Sequence, residues 1–306
     1  MSAYAGIVTY HPEIARLKCN IEAIINQVEK LVIFDNCSDN IEELEQLMIQ
    51  YPGAWLIKSE ENVGIAAAFN NILRYGQAIG MEWVLLLDQD SICPEHMIDE
   101  YIPYTKEPKV AIISPLVIDR RRAARDMKIK SETQEINNCV SSGSFVNISI
   151  CQGLGLFEEK LFIDVVDYEY CMRVRLNGYR VLRVNGLVLD QEFGNVAISK
   201  HARTYQKLAD KTRIRLFHHL AYSPVYSPAR VKLTIRNWVY CIRKYKRFSH
   251  TWKEICKLIK GCIIIIVRGK FQFKLAASIL YGVKSGFSLE VNPVKIEQYH
   301  VKIDLM

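Results

Sequence analysis

The sequence predicts an α/β fold: a mostly parallel sheet flanked by helices. Three observations carry this expectation. Over the first 116 residues, short apolar runs alternate with stretches whose apolar residues recur at helical spacing, the rhythm of strand–helix–strand units. The short runs are apolar throughout, as strands covered on both faces are. Each run also ends on polar or acidic residues, so one edge of the sheet collects them, and ligands of open parallel sheets bind at that edge.

Ala5–Thr9 reads as the first strand, and Pro12–Val28 as a helix with Ile14, Leu17, Ile21, Ile24 and Ile25 on its apolar side. Lys30–Phe34 is a second strand ending at Asp35-Asn36, and Asn40–Gln50 is a helix entered from a polar turn. Ala54–Lys58 is a third strand, Ile65–Ile79 an Ala-rich helix, Trp83–Leu87 a fourth strand ending at Asp88-Gln89-Asp90, and Lys109–Leu116 a fifth. Beyond residue 116 the rhythm breaks. Arg120, Arg121, Arg122 and Arg125 mark an exposed loop or hairpin. Cys139–Asn147 is a return strand entered through Ser141-Ser142-Gly143. Leu161–Leu176 is a loop leading into a helix, and Arg180–Val184 and Leu187–Leu189 are short strands. From Ala202 onward the chain reads as helices interrupted at Pro224 and Pro228.

Composition narrows the class. The chain has 306 residues, half of them hydrophobic and 24% charged, with 15 Gly and nine Pro. That is enough for one large domain or two small ones, and it excludes a disordered or collagen-like chain. Near the C-terminus the longest apolar run is Cys262–Val267, far short of the ~20 residues of a spanning helix. The first residues carry no basic, apolar leader, so the expected location is the cytoplasm. Nine cysteines without CxxC spacing speak against a zinc or dithiol centre and read as reduced thiols.

Charge divides the chain. Residues 201–306 carry 21 Lys and Arg against five Asp and Glu, while residues 1–200 carry 19 against 28. The two regions therefore face different partners. The expected division is an α/β domain over 1–200, in two parts, 1–116 and 117–200, and a basic helical region over 201–306. Between Trp252 and Val267, Trp252, Ile255, Cys256, Leu258, Ile259, Cys262, Ile263 and Ile266 recur at helical spacing, with Lys253, Lys257 and Lys260 among them. Such a helix either lies in the headgroup plane of an anionic membrane or packs on the core with its lysines in water. Nucleic acid is not expected as a partner.

Three constellations carry chemistry. Asp88 and Asp90, two apart on an extended segment, point the same way; paired carboxylates repel unless a cation sits between them, and Mg²⁺ or Mn²⁺ takes such oxygen ligands. Asn62-Val63-Gly64-Ile65-Ala66-Ala67-Ala68-Phe69-Asn70 combines hydrogen-bonding ends with small residues that allow close approach, and Asn62 also suits a helix cap. Asp164, Asp167 and Glu169 crowd an apolar stretch. Asp167 is the candidate general base, and Glu169 with Arg173 four residues on is a structural pair. The chain has neither G-x-G-x-x-G nor G-x-x-x-x-G-K-[ST], which excludes the usual dinucleotide and P-loop sites.

These residues resemble family 2 glycosyltransferases, and within them the bacterial rhamnosyltransferases. The matching segments are Val8-Thr9-Tyr10 with Pro12, Asp35-Asn36-x-Ser38, Asn62-x-Gly64-Ile65-Ala66-x-Ala68-x-Asn70, Leu87-Asp88-Gln89-Asp90-Ser91, Ser142-Gly143-Ser144, Phe162-Ile163-Asp164-x-Val166-Asp167-x-Glu169-x-Cys171-x-Arg173, Ser227-Pro228-x-Arg230 and Arg236-Asn237. The resemblance runs from residue 5 to about 246. It implies a GT-A fold and an inverting transfer from a nucleoside-diphosphate sugar, dTDP-L-rhamnose, to a cell-surface polysaccharide such as an O-antigen or to its lipid-linked precursor.

By the same resemblance, Thr9, Tyr10, Asp35, Asn36, Asn62, Gly64, Asn70 and Asp88 bind the nucleotide sugar, Asp90 and Asp88 a divalent metal (Mg²⁺ or Mn²⁺), and Asp167 acts as base. Ser142, Gly143, Asp164 and Arg230 are the acceptor-side candidates. An acceptor on a lipid carrier implies a peripheral position at the inner face of the cell membrane. Two positions depart from the family pattern. Gln191 stands where relatives carry a histidine three before a glycine (here Gly194), and Ile72 replaces a second Asn-x-Gly glycine. Three alternatives remain open: a UDP-linked donor, a sugar nucleotidyltransferase and an inactive membrane adaptor. Tyr10–Arg16 lacks the Gly-rich basic loop that the second would need, and Gln191 favours the third.

Overall fold

The computed structural model describes residues 2–118, 131–192, 196–198, 200–212, 217, 221–224, 227–269, 272–292 and 294. The expected loop at Arg120, Arg121, Arg122 and Arg125 lies outside them, as do Gly194, Lys270 and Phe271. The described residues fall into two compact units, the second beginning at Glu192. The sequence-based boundary at 200/201 therefore falls inside the second unit.

The first unit is built on an eight-stranded sheet of order β3-β2-β1-β4-β7-β5-β8-β6. β1 (Ala3–Thr9), β2 (Lys30–Asp35), β3 (Ala54–Lys58) and β4 (Trp83–Asp88) are mutually parallel. β5 (Val110–Ile118) runs parallel to β8 (Arg180–Asp190). β7 (Ser144–Asn147) returns antiparallel between β4 and β5, and β6 (Thr133–Glu135) closes the edge antiparallel to β8. The two short strands expected over 180–189 form one, because the register slips: Pro115 pairs with Val184 and Leu116 with Val188. The side chain of Asn185 ties the slip down by donating to Ser131 O (2.9 Å) and accepting from Arg183 Nε (2.7 Å).

Helices cover the sheet. α1 (Ile14–Ile24), α2 (Ile41–Met48) and α3 (Gly64–Ala78) follow the first three strands. Ala5 and Ile7 of β1 share a buried cluster with Leu17, Ile21 and Ile24 of α1. The residues that alternate with them, Tyr4 and Gly6, meet α3. A Cβ on Gly6 would stand 2.4 Å from Ile72 Cγ2, one on Gly76 would stand 2.3 Å from the Tyr4 ring, and Tyr4 OH donates to Ile72 O. Ile72 thus fills the space that Gly6 leaves open, so the helix seats here with isoleucine where the resemblance implies a glycine. α4 (Met97–Tyr101) and α5 (Ile148–Leu154) were not expected, because helices of five and seven residues are too brief for a periodicity to show. α6 (Val166–Leu176) is the helix expected after the 161 loop.

In the second unit, β9 (Val196–Ile198) pairs antiparallel with β10 (Tyr222–Pro224). α7 (Ala202–Thr212), α8 (Pro228–Lys244), α9 (Thr251–Arg268) and α10 (Phe273–Ser288) make up the helical part. Pro228 sits at the first turn of α8, where its missing N–H costs nothing. α10 lies directly on α8 because Gly282 and Gly286 face it: a Cβ on either would meet a carbonyl of α8 at 2.7 Å. Among the described residues no helix is long and apolar enough to cross a membrane.

Glu169 and Arg173 form the expected structural pair, with Nη2 to Oε2 at 2.6 Å and Glu169 fully buried. Arg173 Nη1 also donates to the carbonyls of Gly155 (2.6 Å) and Leu156 (2.8 Å) after α5. Removing one member of a buried pair strands the other charge, at a cost of about 3–5 kcal/mol. Arg173→Ala should therefore lower the urea midpoint by a corresponding amount, whereas an exposed pair such as Lys58–Glu45 should contribute under about 1 kcal/mol when Lys58 is replaced.

Candidate active site

The strand ends build the site. Asp35, at the end of β2, is buried, and its carboxylate is fully engaged: Thr9 Oγ1 (2.9 Å) and Ser38 Oγ (2.5 Å) donate to Oδ1, and Ser38 N (2.9 Å) donates to Oδ2. His11 N donates to Ser38 Oγ at 2.8 Å, which joins the loops after β1 and β2. Tyr10 is nearly half exposed, its ring centroid is 4.0 Å from that of His11, and its N–H donates to Gln89 Oε1 at 2.7 Å.

Asn36 then binds the loop after β3. Its Nδ2 donates to Asn62 Oδ1 (3.0 Å), and its Oδ1 accepts from Val63 N (2.8 Å). Asn62 Oδ1 also accepts from Gly64 N (3.0 Å) at the start of α3, but the cap position expected for Asn62 is occupied by Val63, one residue later, so Asn62 closes the turn before the helix and does not cap it. Gly64 has φ +81°, and a Cβ there would meet the Phe162 ring at 2.5 Å and Phe162 O at 2.7 Å. Ile65 N donates to that same carbonyl at 2.7 Å. The Asn62–Ile65 turn is therefore seated on the loop that precedes Asp167.

Asn70 is buried one helical face further on. Its amide exchanges two bonds with the backbone of Phe157 (2.8 and 2.9 Å) and donates to Glu159 Oε1 (2.8 Å). The structure thus engages Asn70 with the 157–159 loop.

The acidic end centres on β4. Asp88 N donates to Ser142 Oγ (3.1 Å), Asp88 O accepts from Asn20 Nδ2 (2.8 Å), and Asp88 Oδ2 accepts from Gln191 Nε2 (2.5 Å). Arg16 Nε donates to Asp90 O (2.9 Å), and Arg16 Nη2 lies 3.7 Å from Asp190 Oδ2. Sequence reasoning missed Arg16 and Asn20. Asn20 lies beside Leu17, Ile21 and Ile24 of α1 and is fully buried, and a buried amide has to bond something, but its partner, Asp88 O, is 68 residues away in the chain.

Asp167 opens α6. Its Oδ2 accepts from Ser141 N (3.3 Å) and its Oδ1 from Tyr168 N (2.9 Å). Burial pushes its carboxyl up to about 6; the backbone donors Tyr168 and Ser141 hold it down in part, and the nearby Asp164 carboxylate adds to the rise. The approach to it is strained: Phe162, Asp164 and Val165 have φ of +62°, +61° and +68°, each costing about 1–3 kcal/mol, a strain that structures keep mainly at functional sites.

Ser141 reaches Asp167 and its neighbour Ser142 reaches Asp88, so acid pair and base are one residue apart along the chain that holds them. Ser142 Oγ also pairs with Ser91 Oγ at 2.5 Å. Gly143, with φ +79°, donates to Leu86 O at 2.8 Å, and a Cβ there would meet Pro115 and Leu189 under 3.0 Å. Arg230 stands in the second unit, in the first turn of α8.

Among the described residues no group of three or more His, Cys, Asp or Glu is gathered for a metal. The donor set still fits a hard divalent cation, because Gln191 Oε1 is buried with no hydrogen-bond partner among the described residues, while the same amide touches Asp88. Asp88, Asp90 and Gln191 together offer oxygen only, the ligand type that Mg²⁺ and Mn²⁺ take.

Known proteins resemble this chain in sequence and in fold. Residues 6–154 match the family model for Glycosyl transferase family 2. The dTDP-rhamnosyl transferase RfbF of Shigella flexneri is 27% identical, over 79% of this chain and 80% of that protein. The mannosyltransferase PcManGT from Pyrobaculum calidifontis, solved in complex with GDP-Man and Mn²⁺, is similar at a TM-score of 0.52 and 15% identity, over 94% of this chain and 88% of that one. GalNAc-T7 with UDP, GalNAc and Mn²⁺ is similar at 0.54 and 14%, over 63% of this chain; the match spans only 44% of that longer chain. At such identities the structural likeness speaks to the fold, which is GT-A.

Gly64 gives this arrangement a direct check. Gly64→Ala puts a methyl group against Phe162 at a left-handed φ, so the melting temperature should fall by at least about 3 °C.

Proposed function

We propose that this chain, whose residues 6–154 match the model for Glycosyl transferase family 2 and whose sequence is similar to a dTDP-rhamnosyl transferase, is a glycosyltransferase that moves L-rhamnose from dTDP-L-rhamnose, with inversion, onto a cell-surface polysaccharide or its lipid-linked precursor. The observation that carries the chemistry is Asp167: a carboxylate raised to about 6, held by Ser141 beside the serine that holds Asp88. The name of the Shigella relative supports the donor.

In this reading Thr9, Tyr10, Asp35, Asn36, Asn62, Gly64 and Asn70 build the nucleotide side. The exposed Tyr10 ring offers a stacking face for the base, and the buried Asp35 and Asn70 shape the loops around it. Ser142, Gly143, Asp164 and Arg230 serve the acceptor side. Residues 1–116 bind the donor, 117–200 the acceptor, and 201–306 form the basic region. Asp88, Asp90 and Gln191 Oε1 would hold a divalent cation, Mg²⁺ or Mn²⁺, which when bound offsets the charge of the diphosphate.

Asp167 accepts the proton of an acceptor hydroxyl. That oxygen forms its bond to the anomeric carbon opposite the departing C–O bond, and dTDP leaves with the bonding electrons. One displacement inverts the centre, so no nucleophilic side chain is needed. A basic C-terminal region of 21 Lys and Arg against five Asp and Glu supports an acceptor presented at an anionic membrane surface, with the enzyme peripheral at its cytoplasmic face.

The base is active only when deprotonated, so kcat/KM should climb with pH through about 6 and level off above it. Asp167→Asn should abolish that limb and lower kcat by about 10²–10⁴-fold, with dTDP affinity unchanged within about threefold. Transfer by Asp167→Asn at the wild-type rate removes the proposal, and faster turnover of a UDP-linked sugar than of dTDP-L-rhamnose removes the donor.

Asp90→Ala should erase the dependence of donor affinity on Mn²⁺. Titration of dTDP-L-rhamnose by calorimetry, with the cation and with chelator, would show two equal affinities in the variant and unequal ones in the wild type.

A further inference from the structure

α9 is apolar on two sides. Leu258, Cys262, Ile265 and Ile266 pack inward on Val231, Ile235, Leu275 and Ile279. Steps of four, three, four and four residues carry Trp252, Cys256, Ile259, Ile263 and Val267 along the other side, and all five are exposed, Trp252 at 75% and Ile263 at 56%. α10 does the same with Phe273, Leu280 and Phe287, seven residues apart and 86%, 72% and 62% exposed, with Tyr281 beside them. Of the thirteen large hydrophobic residues exposed among the described residues, nine lie between Trp252 and Phe287. A helix that faced only water would carry polar residues there, and apolar surface concentrated in this way marks a binding face.

The charges around these stripes select the occupant. Residues 252–287 contain seven Lys and Arg and one acid, Glu254. Glu254 is buried, with Lys257 Nζ on its Oε1 at 3.1 Å. What the face shows to solvent is therefore basic: Lys253 and Lys260 flank the stripe on α9, Lys274 adjoins Phe273, and Lys284 lies between Leu280 and Phe287, all exposed. A second copy docking through the same patch would set lysine against lysine. An anionic bilayer takes both parts, aromatic and aliphatic side chains at the headgroup boundary and lysines on the lipid phosphates. Neither helix can span, so both would lie in the plane.

We propose that the outer faces of α9 and α10 are a membrane-docking surface for anionic phospholipid. The proposal deepens, and in that respect rests on, the reading of the protein as peripheral at a membrane. Full-length protein should sediment with vesicles of phosphatidylcholine containing phosphatidylglycerol and at least tenfold less with phosphatidylcholine alone. The double substitution Ile259→Glu/Ile263→Glu, at exposed positions, should lower vesicle partitioning at least tenfold. Lys253→Glu/Lys260→Glu should remove most of the preference for anionic lipid.

Affinity for dTDP without vesicles should stay within twofold in both variants, which tests the donor site separately from the docking face. The proposal is overturned if wild-type protein does not sediment with anionic vesicles, or if the Glu variants sediment equally well. A wild-type dimer in sedimentation velocity that Ile259→Glu/Ile263→Glu converts to monomer would also overturn it, by assigning the face to a second copy.

Discussion

Two neighbouring serines hold the candidate site together. Ser141 donates its amide to Asp167, and Ser142 receives the amide of Asp88 on its hydroxyl. They sit where β7 turns back between two strands of the parallel sheet, and that turn exists because Gly143 can occupy a conformation and a gap closed to any side chain. The antiparallel strand is thus more than an irregularity of the sheet. It carries the hydrogen bonds that keep an acidic strand end and a desolvated carboxylate on adjoining residues. Electrostatic catalysis depends on such preorganisation, because groups already placed need not be reorganised during reaction.

Much of this was legible in the sequence because the underlying physics is local. Apolar runs such as Trp83–Leu87 read as buried strands, and the residues at their ends, Asp35, Asn62 and Asp88, had to lie on one edge once the strands were parallel. Other parts were not legible, because they depend on partners distant in sequence. Arg16 matters through Asp90, 74 residues away, and Asn20 through Asp88, 68 residues away. The register slip at Asn185 depends on the chain around Ser131 and Glu132. Asn70 shows the converse limit. A motif position can be identified while its work, here the bonding of the Phe157 backbone, becomes visible only in three dimensions.

The same contrast separates the two sides of the C-terminal helices. Helical spacing announced an amphipathic α9, but a pattern of apolar residues does not tell which of them meet protein. In the structure the apolar set divides, with Leu258, Cys262, Ile265 and Ile266 on the inner cluster and Trp252, Ile259 and Ile263 left outside. The reading of a helix packed on a core therefore describes its inner side, and the outer apolar side stays exposed.

The contact between Gly6 and Ile72 has an evolutionary consequence. The strand residue lacks a side chain at the spot where the helix residue carries a branched one, so the two positions share a single volume. Descendants of this chain cannot enlarge the first without shrinking the second. Across a lineage the pair should drift as one inherited character, glycine with isoleucine in some branches and a larger strand residue with glycine in others.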